Sequence, residues 1–289
     1  MGYLLALVTA LLLATSDVLT RRLFQVGGTT RAREAAVLRL LLALPVLLAA
    51  LPFVSPPPAE VSFWWIVAVG APLEVLALVL YVRAIRISPL SVSLPLLATT
   101  PALVLVTGPL LAGDPFSAAT VPGVLLIATG GYLLNLAELR RGWSGPWLAL
   151  VRDGGARMMF LVALIYAVTS ALGKRGVVLS SPGTMAAYYF VAVALVGIPA
   201  LAPRPAELRR LLAGWPVLVV AIGITFTVHL FTHMAAVSLM PAAEMIALKR
   251  TSLLFASVAG VALLGEPNPP GRLAGAGLMV AGAIWIGFV

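Results

Sequence analysis

The chain has 289 residues, of which 61% are hydrophobic and 10% charged, with a mean hydropathy of +1.08. A soluble domain carries about 25% charged residues, so the composition excludes that class and points to an all-α, polytopic membrane protein. The net charge of +9 sits at the ends of apolar runs, where it sets topology rather than nucleic-acid binding, and the absence of cysteine excludes disulfides, thiol catalysis and thiolate metal sites.

Ten apolar spans are predicted, at residues 3–22, 35–54, 63–84, 88–112, 116–137, 158–177, 184–202, 215–237, 242–264 and 271–289. Several approach the ~20 residues a helix needs to cross a bilayer. Breaks such as Ser55-Pro56-Pro57-Pro58 and Pro203-Arg204-Pro205 separate them. The first run lacks a basic leader and a small-residue cleavage site, so it is expected to remain a helix of the mature protein. Asp17 comes late in it, with Arg21 one turn on; the two read as an i,i+4 interfacial pair, with proton coupling at Asp17 as the alternative. Arg39 lies about a turn inside the second span, placed to snorkel or to reach a cavity. Glu74 stands in the middle of the third span, where a carboxylate needs a partner, a cavity or a proton; Arg39 and Lys249 are candidate partners. Trp64, Trp65, Tyr188 and Tyr189 read as interfacial anchors, and Asn135 as a local cap.

Residues 138–157 form a basic, tryptophan-containing linker, expected in the headgroup region and not as a soluble domain. His229 and His233 in the eighth span have a spacing that can hold a metal. The zinc-hydrolase pattern needs Glu after the first histidine, where this chain has Leu230. They are read as hydrogen bonders lining a cavity, and no metal or cofactor is expected.

The ninth span carries Glu244 and the adjacent cations Lys249 and Arg250. Lys249 is about 9 Å along a helix counted from Ala243, and ionisable groups at such depth cost ~2.5 kcal/mol or more each on insertion scales. On a continuous helix Lys249, Arg250, Ser257 and Gly260 share an arc of roughly 100°, read as the wall of a substrate site. The alternative is a structural pair neutralised by Glu244 or another buried acid.

The second half repeats the first. At an offset of 152, Pro89 meets Pro241, Gly113-Asp114-Pro115 meets Gly265-Glu266-Pro267, Gly123 meets Gly275, Gly130 meets Gly282 and Tyr81 meets His233. At 153, Arg21-Arg22 meets Lys174-Arg175. Residues 1–137 and 158–289 are therefore two five-span repeats. An odd number of spans per unit makes the second enter the membrane from the opposite side, the inverted-repeat arrangement of alternating-access transporters.

The blocks PLSVSLPLLATTPALVLVTGPLLAGDP with GVLLIATGGYLLN, and PAAEMIALKRTSLLFASVAGVALLGEP with GAGLMVAGAIWIGF, resemble the two repeats of EamA-type transporters of the drug/metabolite transporter superfamily. The resemblance covers nearly the whole chain. It implies ten helices around a central cavity, walls made by helices 1–4 and 6–9, and helices 5 and 10 set aside to support a homodimer. Locally, Lys249-Arg250 is similar to the Lys-Arg pair of the ninth helix in triose-phosphate/phosphate translocators, which implies that these two residues grip a phosphate.

The function expected is a secondary transporter of a small anionic, phosphorylated metabolite in a bacterial cytoplasmic membrane, working by alternating access without a P-loop. Lys249, Arg250, Glu74, Arg39, Tyr81, His229 and His233 are the substrate-site candidates; Glu74, Asp17 and Glu244 are the coupling candidates, with a proton or a counter-substrate as the driving partner. The alternatives are a proton-coupled exporter of amino acids or drug-like amines, with Glu74 as cation partner, and an intramembrane lipid-modifying enzyme with a histidine base. Fourteen of the nineteen lysines and arginines fall on one face, while Lys174 and Arg175 alone share the face bearing the termini. The positive-inside rule then places both termini outside, against the family's usual arrangement.

Overall fold

The computed structural model describes residues 1–26, 32–87, 96–135, 153–264 and 271–289. The readings at Pro89, at Gly265-Glu266-Pro267 and over linker residues 138–152 lie outside the described residues, as do the side-chain readings at Asn135, Ser257 and Gly260. All regular structure among the described residues is helical. The helices are α1 (Gly2–Val26), α2 (Ala32–Ala50), α3 (Val61–Ile87), α4 (Thr100–Thr107, running on as a π turn over Gly108–Ala112) and α5 (Val121–Asn135). Then come α6 (Gly154–Leu179), α7 (Pro182–Leu201), α8 (Pro205–Gly214), α9 (Pro216–Leu239), α10 (Ala242–Arg250), α11 (Ser252–Leu264) and α12 (Gly271–Phe288).

Six of these segments are long and apolar enough to cross a membrane: 2–26, 33–53, 61–81, 154–179, 182–201 and 216–239. Shorter apolar helices cover Thr100–Ala112, Val121–Leu133 and Ala274–Phe288. The predicted ninth span is in two pieces, α10 and α11, so the wheel drawn through it as one helix does not apply. α8 was expected as loop. Its Leu208, Leu211 and Leu212 pack against Leu23, Leu38 and Val219, while Arg209 and Arg210 stay exposed, which is the pattern of a surface helix. The linker also ends earlier than expected: Asp153 caps α6, its carboxylate accepting from Ala156 N at 2.7 Å.

Two pairs of corresponding helices, α2–α7 and α5–α12, pack on each other, and both are antiparallel. In α2 against α7, Leu40 abuts Gly197 while Val54 abuts Gly183. In α5 against α12, Gly123 faces Gly282 while Gly130 faces Gly275. α1 lies along α9 as α3 lies along α6. A two-fold axis leaves related helices antiparallel only when it runs across them, so the halves are related by inversion. The α5–α12 contact depends on glycine: a Cβ on Gly130 would lie 2.6 Å from Gly275 O, and one on Gly282 2.6 Å from Gly123 O. Small residues let helix backbones approach this closely where no hydrophobic drive separates helix from lipid.

Candidate substrate site

The fourth and ninth predicted spans break at the same point of the repeat. Thr99 Oγ1 donates to Leu96 O at 2.6 Å, and Thr251 Oγ1 donates to Leu248 O at 2.6 Å. The backbone N–H of each threonine reaches the same carbonyl, at 3.3 and 3.0 Å. Each threonine thus closes a tight i→i−3 turn that ends one helix before the next begins, a local competition with the regular ladder. Thr99 and Thr251 are 152 residues apart, the repeat offset.

The two breaks face each other, because Arg250 Nη2 donates to Thr100 Oγ1 at 2.9 Å. Arg250 is 7% exposed and its Nε has no partner among the described residues. Among the described residues no carboxylate is paired with it. Lys249 looks onto Glu74 of α3 without closing to an ion pair; each lies in the other's Coulombic range. Glu74 accepts a hydrogen bond from Thr169 Oγ1 of α6 at 3.2 Å. Lys249 and Glu74 are both half-buried. Tyr81 and Tyr166 are near Arg250, and Tyr166 is also near Glu74.

A second polar line runs along α9. Arg39 Nη2 pairs with Asp17 Oδ1 at 2.8 Å and donates to Thr20 Oγ1 at 2.6 Å. Its guanidinium lies 5.7 Å from the Phe226 ring centroid. Phe226 stacks on His229, and His229 on His233 at 5.9 Å. His229 Nδ1 lies 3.0 Å from Thr9 O, and buried His233 Nδ1 has no partner among the described residues. Lys249 is in Coulombic range of both histidines. Asp17 therefore partners Arg39 across two helices. Glu74 is not Arg39's partner either.

Glu244 stands apart from this group. It lines a cavity of about 20 Å³, room for one water, together with Asp114 and Ala243, and its charged neighbours are Asp114 and Lys174. It does not neutralise Lys249 or Arg250. At this end the bundle is sealed. Lys174 Nζ donates to Val237 O at 2.7 Å and Met240 O at 3.0 Å, and lies 3.8 Å from Asp114 Oδ1. Asp114 Oδ2 accepts from Ala242 N at 2.7 Å. Gly113, at φ +72°, ends the π turn in the left-handed region and presents Asp114 to α10. Tyr3 OH reaches Ala283 O at 2.9 Å and Thr184 Oγ1 reaches Ser55 O at 2.7 Å at the same end.

The structure thus connects Lys249, Arg250, Glu74, Tyr81, His229, His233, Arg39 and Asp17 through hydrogen bonds, ring contacts and Coulombic range, and leaves Glu244 outside that group. Thr100, Thr169 and Tyr166 belong to the group and were not anticipated. The repeated threonines at 99 and 251 were the signal for the breaks. Lys174, placed by the sequence on the face bearing the termini, is 9% exposed and tied to helix-end carbonyls. Tyr189, assigned as an anchor, is 2% exposed in the core, whereas Trp64 and Trp65 do lie on the outer surface.

The family model described as "EamA-like transporter family" matches residues 1–136 and again 154–288. No curated protein matches. A solved structure described only as "Crystal structure of protein" superposes with a TM-score of 0.75 at 17% identity, covering 98% of this chain and 95% of that one. At that identity the likeness shows the fold.

Proposed function

The chain belongs to the EamA-like transporter family, and on that premise we propose that it carries a small anionic, phosphorylated metabolite by alternating access through ten membrane crossings. Family membership makes it a membrane transporter of the drug/metabolite transporter superfamily. The observation that carries the substrate reading is Arg250: a buried guanidinium, at the meeting of two helix breaks, that among the described residues is bonded to a hydroxyl and leaves its Nε without a partner. A buried cation calls for a counter-charge. Among the described residues no carboxylate supplies it, and an oxyanion from solution would do so, with Lys249 as the second point charge. The sealed end at Lys174–Asp114 supports alternation, since such a transporter must close one side at a time. The membrane proposed is a bacterial cytoplasmic membrane, and a proton or counter-substrate provides the drive.

The test is a thermal-shift screen of phosphorylated metabolites, amino acids and amines on the purified protein, followed by uptake into proteoliposomes. Arg250→Ala and Lys249→Ala should each weaken binding of the anion tenfold to a hundredfold, the loss of one charge-assisted contact worth ~1.5–3 kcal/mol. Wild-type uptake by both variants at equal abundance refutes the assignment. One observation favours a second reading, export of an amino acid or amine. Lys249 faces Glu74 without pairing, so a substrate ammonium could take the place beside the carboxylate. Stabilisation by amino acids or amines and not by phosphates would select that reading.

A further inference from the structure

Tyr189 lies in a π turn, Met185–Tyr189, within α7. Its hydroxyl is buried and has no hydrogen-bond partner among the described residues. Such an orphan in a core is costly unless it serves another state of the molecule. The ring occupies the niche left by Gly70 of α3: a Cβ there would sit 2.8 Å from Tyr189 Cε2 and 2.9 Å from the hydroxyl oxygen. Gly70 is one helical turn before Glu74. Side chains on a helix lean toward its N-terminus and cover the preceding turn. The Glu74 carboxylate therefore leans toward the niche that holds the tyrosine hydroxyl, and the two groups are in electrostatic contact.

We propose that the Tyr189 hydroxyl is the second seat of the Glu74 carboxylate: when Glu74 leaves Lys249 and Thr169 during the transport cycle, it folds back over Gly70 and accepts a hydrogen bond from Tyr189. The inference rests on the reading of Glu74 as the coupling carboxylate. No covalent bond changes and the proton stays on the phenol. Glu74 is faced by Lys249 from α10, by Thr169 and Tyr166 from α6 and by Tyr189 from α7. Tyr189 is faced by Glu74 and Tyr166. Tyr189 is a positioning residue, acting through Glu74. Gly70 is required because any larger residue would expel the ring, and the π turn supplies the register that brings the hydroxyl there.

The experiment uses the full chain in proteoliposomes. The native sequence has no cysteine, so a single cysteine in place of Ala243, 8% exposed at the sealed end, reports its opening. Its rate of modification by a membrane-impermeant methanethiosulfonate, divided by that of a free thiol at the same pH because only the thiolate reacts, is followed across the neutral pH range, with no substrate needed. Glu74→Gln should flatten the profile. Tyr189→Phe should move its midpoint upward by about one pH unit, because a hydrogen bond to the charged carboxylate favours that form, and should leave the melting temperature unchanged or higher. The double variant should match Glu74→Gln alone. A Tyr189→Phe profile superimposed on the native one, while Glu74→Gln flattens it, overturns the inference and spares the Glu74 reading. A double variant shifted beyond Glu74→Gln also overturns it, since Tyr189 would then act elsewhere. An unchanged Glu74→Gln profile overturns the underlying reading and the inference with it.

Discussion

Replacing Lys174 by methionine should unlatch the sealed end. The ammonium donates to Val237 O and Met240 O, the carbonyls that close α9, and stands near the Asp114 carboxylate that holds Ala242 N at the start of α10. One side chain thus ties the α9–α10 corner to α4 and α6. Methionine keeps most of the apolar stem and deletes the charge. Two helix-end carbonyls and a carboxylate whose side chain is 7% exposed then lose their donor. Breaking a buried pair costs ~3–5 kcal/mol, and a charged hydrogen bond ~1.5–3 kcal/mol. Asp114 keeps its bond to Ala242 N and the ion pair is long, so about 3 kcal/mol is the appropriate figure. If that falls on the closed state alone, the open population rises roughly 150-fold at 1.36 kcal/mol per decade.

The assay is modification of a cysteine at position 243 in the Lys174→Met background, with a melting curve alongside. Faster labelling with a retained cooperative melt is the expected result. Asp114→Asn keeps an oxygen for Ala242 N and should give a smaller rise. Labelling of Lys174→Met at the native rate would mean that Lys174 only caps α9 and takes no part in closing the bundle.

Gly130→Ala should destabilise the protein by about 1–3 kcal/mol, because the added Cβ meets Gly275 O at 2.6 Å and Met279 N at 2.7 Å, backbone atoms that cannot rotate away. Gly277→Ala, whose Cβ meets nothing within 4 Å, is the matched control and should leave the melting temperature unchanged. Single cysteines at Ser55 and at Ser144, probed in intact cells with an impermeant maleimide, test orientation: label at Ser55 and not at Ser144 supports termini outside, and the reverse pattern refutes the charge argument. With Lys174 buried, Arg175 alone remains exposed of the two basic residues assigned to the face of the termini, which sharpens the bias that the test addresses.

What the sequence made legible was what repeats or what costs energy in lipid. Hydropathy located the helices, and the 152-residue offset located the two-fold, because packing like helices against each other requires like surfaces. Charges at mid-span marked Glu74, Lys249 and Arg250 through their insertion cost alone. Partner choice was not legible. Nothing in the sequence says that Arg39 of α2 reaches across to α1, where it takes the Asp17 carboxylate and the Thr20 hydroxyl together. The break at Thr251 was hidden for a similar reason. Threonine in an apolar run reads as tolerated helix until its hydroxyl is seen competing for Leu248 O. Tyr189 was misassigned because tyrosine's prior favours the interface, and only the niche at Gly70 shows why this one is inside.

The two halves share a backbone device but not its chemistry. Both break at the threonine of the repeat, and at the same offset the first half has Leu97 and Ala98 where the second has Lys249 and Arg250. Opposite Glu74 in the repeat stands Phe226. The inversion can therefore supply two equivalent doors while the charges remain in single copy. A symmetric site would place four cations around the axis, where like charges disfavour one another at any interior dielectric. In single copy, two cations and one carboxylate leave one net positive charge. That matches a phosphate monoester carrying one proton; the dianion, whose second ionisation falls near pH 6, leaves a charge over. Protonating Glu74 removes the mismatch, since the site then carries two positive charges against two negative ones. On this argument the coupling proton and the substrate's charge state are one quantity: uptake of a phosphomonoester should consume a proton above pH ~6 and not below it. A transported phosphate ester that moves no proton at alkaline pH would separate Glu74 from coupling.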